Sequence, residues 1–310
     1  MKNIKIITDG SCDLSQEIID KSQVDIVDVM VSFGDKSYST RSDITVEQFY
    51  EMMKDYSDLP KTSCPSPNQF LEAFDCEEEN IIVLCLTSKL SGIYNSAVLA
   101  KKMYEEEFGN KKRIEVIDST TGSIGQALLI SKIADMIEAD KNMDEIINEI
   151  DRLKNELVFY GTLHTLENAI KGGRVNPIAG KIIGILNFKA IVHITEGVVK
   201  PVDKARGEKN SLNKVVDNIK NNVEKTSGKM LAIGHANCLE KALKVKEILE
   251  SVHNFEEVHG SRAFNGSLYF WGSNTCSHTI IFNFLTKFYI KHIIKYIKDN
   301  IRSNFFRADF

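Results

Sequence analysis

The run of six apolar residues at 81–86 constrains the fold of this chain most strongly, because such a run is typical of a strand buried on both faces. Residues 94–104 follow with apolar positions at helical spacing. Between them lies a loop rich in Ser, Thr and Gly. A loop between a buried strand and a helix start turns free N–H groups and the helix dipole towards an anion. The pattern predicts an anion site at Ser91; the alternative is that Ser91 is only the helix N-cap.

Polar loops follow two further predicted strands. The loops at 9–13, 87–92 and 118–123 each come directly after a short apolar segment and before a helical pattern. Strands and helices alternate in this way through residue 150, which favours a parallel α/β sheet. Because ligands bind at the carboxyl edge of such sheets, we expect the three loops to meet at the ligand-binding edge.

Two segments between the loops at 9–13 and 87–92 have a different residue pattern. Residues 25–33 alternate apolar and polar positions, which predicts one strand that turns at Gly34 into a second strand near 36–38. Residues 59–67 contain three prolines and offer a cluster of hydroxyls from Thr62, Ser63 and Ser66; the alternative is a linker with turn residues. That composition forbids a helix and favours a stiff, extended loop.

Beyond residue 155 the pattern changes to a second α/β unit. It contains a short helix that ends at a double glycine before Arg174, a strongly apolar stretch at 178–188 and a β-hairpin around Glu196 and Gly197. We therefore predict an N-terminal α/β domain at 1–154, a C-terminal α/β domain at 155–259 and an atypical tail at 260–310.

Composition excludes several classes of protein. The 310 residues suit two domains, and a net charge of −4 gives no support for a nucleic-acid partner. The amino terminus carries no pattern of a signal peptide or membrane anchor, so we expect a cytoplasmic protein. The six cysteines have no CxxC spacing, which favours reduced thiols over disulfides or a metal site.

Five motifs, in this order, resemble the DegV family of bacterial fatty-acid-binding proteins. The resemblance runs from residue 3 to about 259. The motifs are TDGSCDL at 8–14, KTSCPSP at 61–67, LTSKLSGIYNSA at 86–97, EVIDS at 115–119 and LENAIKGGRV at 166–175.

The family resemblance implies both a fold and a function. The fold is α/β with two domains, the first built on a mainly parallel sheet and the second on a mixed sheet, and the ligand cleft lies between them. The implied function is not enzymatic. The protein binds a long-chain fatty acid, which is its ligand rather than a cofactor, and presents the carboxylate to a partner ATP-dependent fatty acid kinase; membrane contact is only transient.

Matching the motifs residue by residue implies the binding residues. The carboxylate-binding hydroxyls are Thr62 and Ser91. The supporting loop residues are Ser63, Gly92 and Ser11. Arg174 and Arg206 match basic positions that meet the head group or the partner. For the acyl chain we expect a slot lined by Ile178, Ile182, Ile183 and Leu186; the alternative is that this stretch is simply a core helix.

Several positions depart from the family pattern. Gly10 stands where Ser is usual, Cys64 where Gln is common and Ala190 where Pro is usual. The family ends in a Gly-rich segment resembling IGxHxGPG, whose His helps to hold the carboxylate. His278 is the nearest histidine, but its surroundings do not match that segment.

The composition of the tail suggests two explanations. Residues 279–310 lack Gly, Pro and Val and are rich in residues with A/T-rich codons, which leads to the hypothesis that a frameshift near residue 260 replaced the native ending. Sequencing the gene tests this, since a single-base shift should restore the Gly-rich ending. The alternative is an amphipathic basic helix that starts near Leu285 and lies on a membrane surface or covers a core edge.

Two other functions stay open on the sequence alone. The three polar loops could form an anion cradle for an enzyme of small anionic metabolites, or the chain could be an inactive truncated paralogue. Turnover without a partner kinase favours the enzyme, and poor solubility without a ligand favours the inactive paralogue.

Overall fold

The computed structural model describes residues 3–56, 58–164, 166–176, 188–222, 229–236, 238–252, 257–262 and 280–286. In the first unit the strands are β1 (Ile4–Asp9), β2 (Asp25–Val27), β3 (Met30–Phe33), β4 (Lys36–Ser39), β5 (Lys61–Ser63), β6 (Asn80–Cys85) and β7 (Arg113–Asp118). Its helices are α1 (Gln16–Ser22), α2 (Val46–Asp55), α3 (Pro67–Ala73), α4 (Ile93–Phe108), α5 (Ser123–Glu138) and α6 (Met143–Lys154).

The first unit is built on a parallel sheet with the strand order β2–β1–β6–β7. Strand β6 lies inside the sheet, and Ile81 through Cys85 are fully buried, as the apolar run predicts. The prediction of a parallel first sheet is therefore confirmed, and the loops after β1, β6 and β7 lie at one edge.

The prediction of a single strand at 25–33 is wrong. The chain leaves the parallel sheet after β2, and Asp28 and Val29 separate it from β3. Strand β3 instead joins a small antiparallel sheet with the order β4–β3–β5. The alternating pattern continues across the break because each of the two strands keeps one face against a core. The extended Pro-rich stretch supplies β5.

The second unit is built on a six-stranded sheet with the order β10–β9–β8–β13–β11–β12, in which only β11 and β12 are parallel. This confirms the expected mixed sheet. Its strands are β8 (Val158–Leu163), β9 (Phe188–Thr195), β10 (Val198–Arg206), β11 (Lys229–His235), β12 (Glu257–Arg262) and β13 (Ile280–Thr286). Its helices are α7 (Glu167–Lys171), α8 (Glu208–Asn222) and α9 (Leu239–Val252).

Strand β13 comes from the segment that the sequence marks as an atypical tail. It lies between β8 and β11 and pairs antiparallel with both. Leu285 is in this strand, paired with Met230, so a helix starting at Leu285 is wrong. The rest of that proposed helix, and His278, lie outside the described residues. The frameshift hypothesis stays a prediction for gene sequencing.

Helix α5 joins the two units. Fourteen of its residues are buried, because one side packs on β1 and β6 and another on β11 and β13. Gly234 of β11 approaches so closely that an added Cβ would lie 2.8 Å from Ile124 Cγ2. One hydrophobic core therefore runs through α5 from the first sheet to the second. Each fully buried Leu or Ile in it contributes about 2 kcal/mol.

Candidate functional site

The loop between β6 and α4 is fixed by backbone hydrogen bonds. Thr87 N–H donates to Thr121 O at 3.0 Å, and the N–H groups of Leu90 and Ser91 donate to Thr87 O at 3.1 and 3.3 Å. Gly92 occupies the N-cap position of α4. Ser91 is therefore not the N-cap residue, although its Oγ accepts a bond from Ile93 N–H at 3.4 Å.

The Pro-rich stretch brings Thr62 to the same place. Thr62 lies on β5, exposed, and pairs with Val31 of β3. Two residues further on, Cys64 Sγ lies 3.2 Å from Ser91 Oγ. The two hydroxyl-bearing segments of the predicted carboxylate site thus meet through Cys64. Within the described part of the chain, Thr62 Oγ1 makes no hydrogen bond.

Three contacts from the second unit reach the loop at 87–92. Arg174 Nε donates to Leu90 O at 3.2 Å, and Lys89 Nζ donates to Glu196 O at 2.7 Å. Gly197, in the turn between β9 and β10, packs against Thr87. The loop that carries Ser91 is therefore one place where the described parts of the two units touch beyond the end of α5.

We expect Gly197→Ala to weaken this junction. Gly197 has a φ of +77°, and an added Cβ would lie 2.3 Å from Thr87 Oγ1. Gly207→Ala is the matched control, because Gly207 has a φ of +75° with no atom within 4 Å of the added Cβ. Both variants should lose about 1 kcal/mol of unfolding free energy through left-handed strain, and Gly197→Ala at least about 1 kcal/mol more. Equal losses in urea unfolding would contradict the contact.

A buried polar network holds the residue that precedes the loop at 87–92. Asp9 accepts bonds from Leu86 N–H at 2.8 Å, from Ser11 N–H at 3.0 Å and from the Ser11 hydroxyl. Gln126 Nε2 of α5 donates to Asp9 Oδ2 at 3.0 Å. Burial raises the pKa of the Asp9 carboxyl, and these donors oppose that shift. Ser11 thus connects to the site loop through Asp9 and Leu86.

Carboxylates dominate the field at this edge of the sheet. Burial raises the pKa of Cys12 well above its usual range, and the charges of Asp9 and Asp13 raise it further. Asp118 accepts bonds from Ser88 N–H at 3.1 Å and from Thr120 N–H at 2.8 Å. Several donors of the loops at 9–13 and 118–123, namely the Ser11 and Ser123 hydroxyls and the Thr120 N–H, therefore bond to acidic side chains of the protein itself.

The other predicted residues are placed as follows. Ser63 is exposed on β5 beside Thr62, and Gly92 lies near Cys64, whose Sγ would be 3.6 Å from an added Cβ. Arg206 ends β10, is exposed and pairs with Phe188. The predicted acyl-chain residues, Ile178, Ile182, Ile183 and Leu186, lie outside the described residues.

Sequence reasoning missed Gln126, Asp118 and the role of Cys64. Gln126 interrupts the apolar pattern of α5 without any local signal of its partners. Of these three residues, only Asp118 had a signal in the sequence, because it is an acidic residue at the end of β7 directly before a polar loop. Among the described residues, no group of three or more His, Cys, Asp or Glu is placed to hold a metal ion. No helix in the same ranges is long and apolar enough to cross a membrane.

Two α/β units that share a central helix and meet again at a serine-bearing loop define an α/β protein with its candidate site between two domains. The profile described as "Uncharacterised protein, DegV family COG1307" matches residues 3–282. The chain belongs to the DegV family, as the five motifs predict. The match extends beyond residue 259, where the resemblance was expected to end.

Known proteins agree with this assignment. A DegV domain-containing protein of Clostridium acetobutylicum is 36% identical over 227 residues, which are 71% of this chain and 78% of that protein. A DegV family structure from Ruminococcus gnavus, refined with vaccenic acid, has a TM-score of 0.84 at 29% identity and covers 91% of this chain and 100% of its own. The Streptococcus pneumoniae Fatty Acid Kinase (Fak) B3 protein, loaded with linoleic acid, shares the fold at a TM-score of 0.78 and 24% identity over 90% of this chain and 98% of its own.

Proposed function

We propose that this protein binds a long-chain fatty acid between its two α/β domains and presents the carboxylate to a partner ATP-dependent fatty acid kinase. The observation that carries the proposal is the position of Ser91. It lies on a loop of the first domain that contacts Cys64 of the same domain and Arg174 of the second. The first domain is residues 1–154, and the second begins at residue 155 and includes β12 and β13. The protein works in the cytoplasm with only transient membrane contact.

The donors at the loop suit a carboxylate. The hydroxyls of Thr62 and Ser91 can each donate to a carboxylate oxygen without a neutralising metal ion. Of the N–H groups at the helix start, those of Ser91 and Ile93 bond within the protein, whereas Gly92 N–H donates to no described residue. That N–H and the dipole of α4 add to the hydroxyls. Ser63 and Ser11 support the loop.

A basic group stands beside the same donors. Arg174 is exposed, and its Nε donates to the carbonyl oxygen of Leu90, the residue directly before Ser91. In this proposal the guanidinium stabilises the charge on the head group while a phosphoryl group is transferred, or contacts the kinase. Arg206 serves the partner surface further along the same domain.

The acyl chain supplies the driving force for binding. Burial gains about 0.8 kcal/mol per CH₂, so a chain of about sixteen carbons brings more than about 10 kcal/mol before entropic costs. The residues proposed to line the slot are Ile178, Ile182, Ile183 and Leu186.

The arrangement of acidic groups disfavours an enzyme of small anionic metabolites. Such an enzyme would use the loops at 9–13, 87–92 and 118–123 together as an anion cradle. Carboxylates already occupy that edge, those of Asp9, Asp13 and Asp118, and they would repel an anionic metabolite there. The hydroxyls of Thr62 and Ser91, in contrast, make no hydrogen bond to a carboxylate of the described residues.

Mass spectrometry of lipid extracted from the purified protein tests the proposal. We expect a long-chain fatty acid bound to each chain, and rebinding of added palmitate after the lipid is removed. The loaded protein should then support acyl-phosphate formation when a fatty acid kinase subunit and ATP are added. Failure to retain any fatty acid and failure to rebind palmitate would together overturn the proposal.

A further inference from the structure

Cys64 differs from the other described cysteines in its surroundings. Cys12, Cys85 and Cys238 are buried, and Cys76 is half-buried, whereas Cys64 is exposed. Its Sγ lies 3.2 Å from the hydroxyl of Ser91, which is 27 positions away in sequence. This thiol therefore contributes to the surroundings of Ser91 rather than to a core.

The hydrogen-bonding capacity of Ser91 gives this contact a consequence. A serine hydroxyl has one proton to donate and two lone pairs. The N–H of Ile93 uses one lone pair, at 3.4 Å. The bond to Cys64 can run in either direction. If Ser91 donates to the thiol, its proton is occupied; if the thiol donates to Ser91, that proton is available for a ligand.

We propose that Cys64 is a positioning residue that sets the direction of the Ser91 hydroxyl, an inference that rests on the proposed carboxylate site. Without ligand, the Ser91 hydroxyl donates to the sulfur, a weak acceptor. A carboxylate is a much stronger acceptor and takes that proton in a charge-assisted bond. The thiol then turns and donates to the second lone pair of Ser91, which Ile93 N–H leaves free, and this bond keeps the hydroxyl aimed at the carboxylate.

Binding of palmitate to the delipidated full-length protein tests this role. We expect Cys64→Ala to weaken binding about three- to tenfold, which is the range of one neutral hydrogen bond. Cys64→Ser should stay within about twofold of the unchanged protein, because a hydroxyl can also accept and donate. In a Ser91→Ala background, Cys64→Ala should cause no further loss, since a residue that acts only through Ser91 has nothing left to position.

Cys76→Ala is the matched thiol control, because Cys76 bonds to Glu78 O and lies beside Lys112, with no contact to Ser91. It should leave palmitate binding unchanged, and urea unfolding of each variant separates binding from stability. Two results would overturn this inference: unchanged binding in Cys64→Ala, or an equal loss from Cys64→Ala whether or not Ser91 is present. In either case, palmitate binding by the unchanged protein would still support the proposed function. If the unchanged protein binds no palmitate, the proposed function itself fails.

Discussion

A chain that carries both Thr62→Val and Ser91→Ala is expected to bind palmitate at least about a hundredfold more weakly than the unchanged protein. Each substitution removes a hydroxyl that donates to a charged group, and one such bond is worth about 1.5–3 kcal/mol. The acyl chain still binds its slot, so the loss falls on the head group alone. Each single variant should account for roughly half of the change in binding free energy.

Ser88→Ala is the control for the double variant, since Ser88 lies on the same loop and contacts Asp118 only through its backbone N–H. It should bind palmitate as the unchanged protein does. Urea unfolding should differ by no more than about 0.5 kcal/mol among these variants, because Thr62 is exposed and Ser91 half-buried. If the double variant kept full affinity for palmitate, Thr62 and Ser91 would not be carboxylate-binding residues.

The backbone of this site could be predicted because its signals are local. Six consecutive apolar residues can form a strand only inside a sheet, and β6 lies there. The loop that follows must then lie at the carboxyl edge, which is where Ser91 is found. The family motifs add Thr62 to the site, and the structure brings β5 next to the loop through Cys64.

Side-chain partners across the fold could not be predicted in the same way. The apolar positions at 124–137 indicate a helix but not how much of its surface is covered, and α5 packs on two sheets and is buried almost all round. Its polar residues therefore also need partners inside the protein. Which partners they find depends on the approach of distant strands, so the bond from Gln126 to Asp9 carries no sequence signal.

Strand β13 shows that composition and local pattern address different questions about the tail. The lack of Gly and Pro beyond residue 278 suggests foreign sequence, yet Ile280–Thr286 is a continuous, largely apolar segment of the kind that forms an interior strand. It fills the position between β8 and β11. A local pattern that matches the sheet carries more weight for the fold than the codon bias of the surrounding segment.

Gln126→Leu is expected to lower the free energy of unfolding by about 3 kcal/mol or more. Gln126 is fully buried, and the two protons of its Nε2 are shared among three acceptors: Thr8 Oγ1 at 2.8 Å, Asp9 Oδ2 at 3.0 Å and Leu84 O at 3.1 Å. Leucine has a similar volume and no donor, so the acceptors stay buried with fewer partners. Because Asp9 also holds Leu86 N–H, the loop that carries Ser91 should loosen, and palmitate binding should weaken in the folded variant.

The pH dependence separates the loss of this donor from a simple packing defect. Burial already raises the pKa of Asp9 in the folded protein, and removing a donor to its carboxylate raises it further. Ionised Asp9 therefore costs stability above its folded pKa, and protonation relieves the cost as the pH falls through that value. The defect in Gln126→Leu should therefore shrink as the pH is lowered through the folded pKa of Asp9. Gln16→Leu, which removes an exposed bond to Asp20 at 2.7 Å, should cost no more than about 0.5 kcal/mol across the same titration. A pH-independent loss in Gln126→Leu would mean that packing, rather than support of the Asp9 carboxylate, is what Gln126 contributes.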